Sequence, residues 1–174
     1  MLPAIFANMA PIVFRKSFKK LAVPIDLGKT YKGRRILGDN KTLRGYIMGI
    51  VSSIVVIYIQ KWLYAYPFFQ NLSFVDYNNY NMLLLGFLIG FGVLFGDTVE
   101  SFIKRRLSIA PGKPFVPWDQ IDSVIGAIVF IYPVYKLSPV QIVTIIALSL
   151  FFSLSMSYIG FLLGFRKEKE VKLI

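Results

Sequence analysis

Four acidic residues stand in stretches that are otherwise apolar. Asp97 and Glu100 lie in Gly96-Asp97-Thr98-Val99-Glu100-Ser101-Phe102-Ile103-Lys104-Arg105, and Asp119 and Asp122 lie in Trp118-Asp119-Gln120-Ile121-Asp122-Ser123. In the first stretch Asp97, Glu100, Ser101 and Lys104 fall at i, i+3, i+4 and i+7, which puts them on one face of a helix. Asp119 and Asp122 share a face by the same i, i+3 spacing. A carboxylate inside a bilayer segment costs roughly 2.5–3.5 kcal/mol on insertion scales. Several together repel one another unless a cation joins them. Hard oxygen donors of this kind suit Mg²⁺, which commonly shares its coordination with substrate phosphates. A plainer reading pairs them with Lys104, Arg105 and Arg106 as helix-end residues, and Asp119 near a helix start gains from the helix dipole. That reading gives no reason to gather four acids. The chain has no histidine and no cysteine, so thiol chemistry is excluded and proton transfer or metal binding falls to carboxylates, lysines, tyrosines or water.

A second group is Leu37-Gly38-Asp39-Asn40-Lys41-Thr42-Leu43-Arg44-Gly45. Glycines allow close backbone approach, Asn40 and Thr42 offer neutral donors, and Lys41 and Arg44 offer charge. Just ahead of a helix, such a stretch can cradle phosphate. A basic loop before a spanning helix is also an ordinary topological signal.

The elements that position these groups follow from hydropathy. The 174 residues are 56% hydrophobic and 17% charged, with a mean hydropathy of +0.61. Soluble domains carry about 25% charge. Five apolar segments are legible: Met1 to Phe14, broken by Pro3, Asn8 and Pro11; Gly45 to about Tyr66; Met82 to Ile103; Asp119 to Tyr135; and Pro139 to Phe165, which has no charge. The first lacks the basic flank and cleavage site of a signal peptide. About 20 residues cross the hydrocarbon core.

The expected fold is an all-α integral membrane protein of about five transmembrane helices. Residues 1–174 form a single polytopic domain with cytoplasmic loops near 15–44 and 104–118. Eighteen of the 20 basic residues fall between Arg15 and Arg44, after the third segment, or after the fifth. The positive-inside rule then puts the N-terminus outside and the C-terminus in the cytoplasm. Phe14 to Leu27, with Phe18, Leu21, Val23 and Ile25 among Arg15, Lys16, Lys19 and Lys20, reads as an interfacial amphipathic segment on anionic lipid. Gly86, Gly90, Gly92 and Gly96 permit close helix packing. The net charge of +11 is assigned to topology and phosphate-bearing substrates, with no nucleic-acid partner expected.

Taken together, the motifs resemble the CTP-dependent phosphatidate cytidylyltransferase superfamily, whose signature GDxxESxxKR, Pro-Gly turn and DxxD stands here as Gly96 to Arg105, Pro111-Gly112, and Asp119 to Asp122. Lys113-Pro114-Phe115 follows the turn where the bacterial and eukaryotic pattern has His-Gly-Gly, and their Lys-Asp pair is missing. That, with Ile36 to Gly45 and the first segment Leu2-Pro3-Ala4 to Ala7-Asn8-Met9-Ala10-Pro11, is more similar to the archaeal branch, CDP-archaeol synthase. The resemblance implies an enzyme of the cell membrane that transfers a cytidylyl group from CTP to unsaturated archaetidic acid, a digeranylgeranylglyceryl phosphate, at a site facing the cytoplasm. The products would be CDP-archaeol and pyrophosphate. On this reading Asp97, Asp119 and Asp122 bind one or two Mg²⁺, with Glu100 as ligand or orienter. Lys41, Arg44, Lys104 and Arg105 neutralise phosphates, and Asn40 and Thr42 donate hydrogen bonds. The rivals are a CTP-dependent lipid-alcohol kinase and, from another class, a small cation carrier. A homo-oligomer is left open.

Overall fold

Two side chains start the long helices. The Thr42 hydroxyl accepts a hydrogen bond from the Gly45 N–H at 3.2 Å and opens α2, Leu43–Leu63; the Asn81 side chain accepts from the Leu84 N–H at 3.1 Å and opens α4, Met82–Arg106. Each satisfies one of the orphan amides of a first helical turn. The computed structural model describes residues 1–110, 113 and 115–162, the side chains of 156–162 excepted. Around the two long helices stand α1, Leu2–Val13, the short α3, Pro67–Leu72, α5, Trp118–Ile131, and α6, Pro139–Leu162. Pro111, Gly112 and Pro114 of the motif, the end of the fifth apolar segment, and Arg166, Lys167, Lys169 and Lys172 lie outside the described residues.

The protein is mostly helical. Helices α2 and α4 are long and apolar enough to cross a membrane. At 1.5 Å per residue α1 and α5, of 12 and 14 residues, rise only about 18 and 21 Å, short of the ~30 Å hydrocarbon core. The exterior is apolar, unlike that of a soluble domain: Val140 on α6 is 76% exposed and Val51, Val55 and Ile59 on α2 also face outward, while Ser53 is fully buried beside the glycines. An apolar exterior over a small-residue interior is what a lipid solvent selects.

Packing centres on α4, which has glycines on two faces. A Cβ on Gly86 or Gly90 would lie 2.8–2.9 Å from the Cα of Ile54 or Ile50 in α2, and one on Gly92 would lie 2.6 Å from the Gly126 carbonyl oxygen of α5. One on Gly96 would collide with the carbonyl of Asp122. Backbones therefore touch, and the two acid-bearing helices are forced into register.

The chain between α1 and α2 is more ordered than a loop. It holds two 3₁₀ turns at Phe14–Lys16 and Lys19–Leu21, then an antiparallel hairpin of β1, Thr30–Tyr31, and β2, Arg34–Arg35. The expected amphipathic stretch from Phe14 to Leu27 is thus not one helix. Phe18 turns it with φ 49°, and beyond it Val23 and Ile25 exchange backbone bonds with Leu43 and Lys41. The connection from Pro67 to Asn81 is also partly folded: α3 begins it, and Tyr77 is buried with Ile57, Met82 and Leu85.

Candidate functional site

Antiparallel packing of α4 on α5 brings the end of one helix beside the start of the other. The helical face read from sequence is realised: Asp97, Glu100, Ser101 and Lys104 line one cavity of about 260 Å³, with Asp119 and Asp122 of α5 and Arg105 at the rim. The opposite wall is irregular chain: Leu37, Gly38, Asp39, Asn40 and Lys41. Two stretches about 60 residues apart in sequence thus enclose one charged space.

Its electrostatics are compact. Among the described residues, Asp97, Glu100 and Asp122 each offer an oxygen within 4.8 Å of the others. Glu100 is only 7% exposed. Lys41 Nζ pairs with Asp97 at 2.5 Å, while Lys104 Nζ lies 2.9 Å from both Glu100 and Asp119. The Phe115 N–H donates to the other oxygen of Asp119 at 2.8 Å. Three hard oxygen donors converging at this spacing fit a divalent cation, because like charges so placed need one to be stable together.

The expected ligands were Asp97, Asp119 and Asp122 with Glu100 in support. The structure groups Glu100 with Asp97 and Asp122, and Asp119 shares the Lys104 ammonium with Glu100. Asn40, Lys41, Lys104 and Arg105 reach the cavity, as a phosphate-binding role requires. Thr42 and Arg44 do not line it. Thr42 caps α2, and Arg44, buried, donates to the Ser17 carbonyl at 3.0 Å, bracing the turn after α1. Both are occupied by the fold, which is the topological reading of that stretch.

Sequence reasoning missed Asp26, Arg35 and Arg106. Burial alone would raise the Asp26 carboxyl, but the Arg35 side chain and the N–H groups of Leu37, Gly38 and Gly28 hold it well below the usual carboxylate range. The available signal was a lone acid among basic residues, two positions before a glycine, the pattern of an Asx turn.

Against the charged cavity lies an apolar one of about 420 Å³, lined by Phe95, Val99, Ile103, Trp118, Ile125 and Phe130 among others. Glu100 and Asp122 line both. The arrangement offers a polar anion and an apolar chain adjoining berths on either side of the same two carboxylates.

Comparison with known proteins agrees with this geometry. The family model described as CarS-like, CDP-archaeol synthase, matches residues 1–171. The chain is 37% identical to the CDP-archaeol synthase of Pyrococcus furiosus over 85% of this chain and 81% of that protein. It is 37% identical to that of Methanocaldococcus jannaschii over 95% and 90%. A solved structure described as an intramembrane enzyme for archaeal membrane lipids biosynthesis superposes with a TM-score of 0.72 at 30% identity, covering 91% of this chain and 90% of its own. Matched along nearly all its length, the chain belongs to the CDP-archaeol synthase family.

Proposed function

We infer that this chain is a membrane nucleotidyltransferase that moves the cytidylyl group of CTP onto unsaturated archaetidic acid, giving CDP-archaeol and pyrophosphate. The observation that carries the reading is the family match over residues 1–171 joined to a carboxylate–lysine cavity that shares two residues with an apolar one. The lipid phosphate oxygen attacks the α-phosphorus of CTP. A P–O bond forms there, the bond to the bridging oxygen breaks, and pyrophosphate departs with that electron pair. A lipid phosphate is already anionic, so no protein base is required, which suits a chain without histidine. The obstacle is charge, since an anion must approach a polyanion.

Lys41, Lys104 and Arg105 offset that charge, with Asn40 donating hydrogen bonds. Asp97, Glu100 and Asp122 would hold Mg²⁺, which when bound neutralises and aligns phosphate oxygens. Asp119, paired with Lys104, would orient that lysine toward a phosphate. The isoprenoid chains of the lipid fit the apolar cavity beside Glu100 and Asp122.

The proposed topology is a single membrane domain over residues 1–174 with five crossings, N-terminus outside, C-terminus and site facing the cytoplasm of the cell membrane. Helices that alternate in direction and the gathering of basic chain beside the site support it. The shorter α1 and α5 call for local thinning of the bilayer. Labelled CTP with digeranylgeranylglyceryl phosphate, and in a parallel arm with the corresponding lipid alcohol, in detergent with and without Mg²⁺, tests the activity. CDP-lipid and pyrophosphate are expected, and phosphorylated lipid alcohol with free CDP would establish the kinase instead.

A further inference from the structure

The wall Leu37 to Lys41 belongs to no helix or strand, so no backbone ladder of its own fixes it. Its Lys41 end is fixed by the pair with Asp97 and by the Ile25 N–H on the Lys41 carbonyl; what holds the rest lies outside the cavity. The Asp26 side chain is 1% exposed. It accepts hydrogen bonds from the N–H of Gly28 at 3.1 Å, of Leu37 at 3.0 Å and of Gly38 at 3.1 Å, and from Arg35 through Nη2 at 2.8 Å and Nε at 3.3 Å. A carboxylate gripped by both prongs of a guanidinium is a stiff joint. The remaining Arg35 nitrogen, Nη1, lies 2.9 Å from Asp39, in the cavity wall itself.

A second set of bonds ties the same chain to α4. Arg106 donates to the carbonyls of Tyr31 and Arg35, each at 2.7 Å, and Arg34 donates back to the Arg106 carbonyl at 3.0 Å. Arg106 also lies over the rings of Tyr31 and Phe102, 5.3 and 5.1 Å from their centroids. Asp26 thus fixes the internal shape of residues 26–39, and Arg106 fixes their distance from the helix that carries Glu100 and Lys104.

We propose that Asp26, acting through Arg35 and the amides of Leu37 and Gly38, is a positioning residue for the nucleotide: it holds Asn40 and Lys41 at the spacing from α4 and α5 that the phosphates of CTP require. The proposal rests on the CTP reading of the cavity. It separates the two substrates, because the apolar cavity touches none of residues 26–41. Loosening the joint weakens nucleotide binding and leaves the lipid berth and the carboxylates in place.

The test is Asp26→Asn in the full chain, with Arg35→Gln as a second variant that spares the amide bonds to Asp26. Asparagine keeps the size, and its oxygen still accepts an amide, but it cannot pair with a guanidinium. The expected result is faster amide exchange across residues 37–41 and a KM for CTP raised roughly tenfold or more, the scale on which small misplacements act. The KM for lipid phosphate and kcat stay within about twofold, as for lost uniform binding. Arg35→Gln gives a smaller change in the same direction. A kcat that falls while the KM for CTP holds, or exchange at residues 37–41 like that of the unsubstituted protein, overturns the proposal. Exchange is read without nucleotide, so it decides on the joint even if the unsubstituted protein makes no CDP-lipid, a result that would count against the activity instead.

Discussion

The two walls of the charged cavity are held by opposite means. On one side α4 and α5 satisfy their own backbone bonds and meet through glycines, so Asp97, Glu100 and Asp122 are spaced by helix geometry and by contact between main chains. On the other, the chain from Asp26 to Lys41 has only a two-residue hairpin and a few turn bonds of its own, and side chains do much of the rest: one buried carboxylate, two arginines and the Lys41–Asp97 pair. A helix wall cannot adjust by small steps, because interfaces closed by backbone contact have no slack. A wall held by side-chain bonds can yield to a ligand and return. The stiff side carries the groups that must meet reacting atoms, and the adjustable side carries Asn40 and Lys41, which grip a polyanion. Substitutions in the two walls should therefore fail differently.

The largest expected effect is on the helix wall. Asp122→Asn and Asp97→Asn each remove one of three converging oxygens' charge while keeping size. Turnover should fall about 10²–10³-fold, the scale of losing one group that stabilises developing charge. Thermal stability in detergent should hold or rise for Asp122→Asn, because a like-charge neighbour has gone, and should fall slightly for Asp97→Asn, which also loses the pair with Lys41. Near-normal Mg²⁺-dependent turnover of CTP in either variant would remove these residues from the reaction and erase the contrast between the walls.

The next effect tests whether main-chain contact sets the spacing. Gly96→Ala drives a methyl group into the Asp122 carbonyl, with no flexible side chain to move aside. Overpacking of this kind costs about 1–3 kcal/mol, and it displaces Asp122, so stability and turnover should fall together. Gly45→Ala is the control: there the new Cβ meets Pro11 and Thr42 at 3.4 Å, ordinary contact. If both alanines prove equally harmless in melting and turnover, the helices are not held apart by these glycines and the stiffness argument fails.

This division also decides what the sequence disclosed. The face Asp97, Glu100, Ser101, Lys104 was legible because a helix converts spacing into direction, and Asp119 with Asp122 followed for the same reason. The five apolar segments became α1, α2, α4, α5 and α6, with ends moved by a few residues among the described residues. What spacing cannot express is a bond between Asp26 and the amides of residues 37 and 38, which depends on how irregular chain doubles back. The places of Thr42 and Arg44 were not legible for a related reason: a donor at a helix start serves the cap, and a cation beside it serves a carbonyl, as readily as a ligand. Nor could spacing choose between Glu100 and Asp119 as the acid grouped with Asp97 and Asp122, because that choice depends on how α5 packs against α4.

The smallest expected effect concerns acid, and it bears on the loop wall alone. Because Arg35 and three amides hold the Asp26 carboxyl below its ordinary value of 3.8, the joint contributes stability that is fully present above that value and is lost as pH falls through the lower folded value. From pH 8 to 5 it should therefore add no pH dependence at all, and it should loosen only below about pH 4. The chain has no cysteine of its own, so a label on Lys32→Cys, at the hairpin turn, reports motion of this segment selectively. Its mobility should stay flat from pH 8 to 5 and rise in stronger acid. In the Asp26→Asn background mobility should be higher throughout, with the acid step reduced. A midpoint between pH 5 and 7 in the otherwise unsubstituted protein would mean that some group other than Asp26 governs the joint, and the loop wall would then not be held as described.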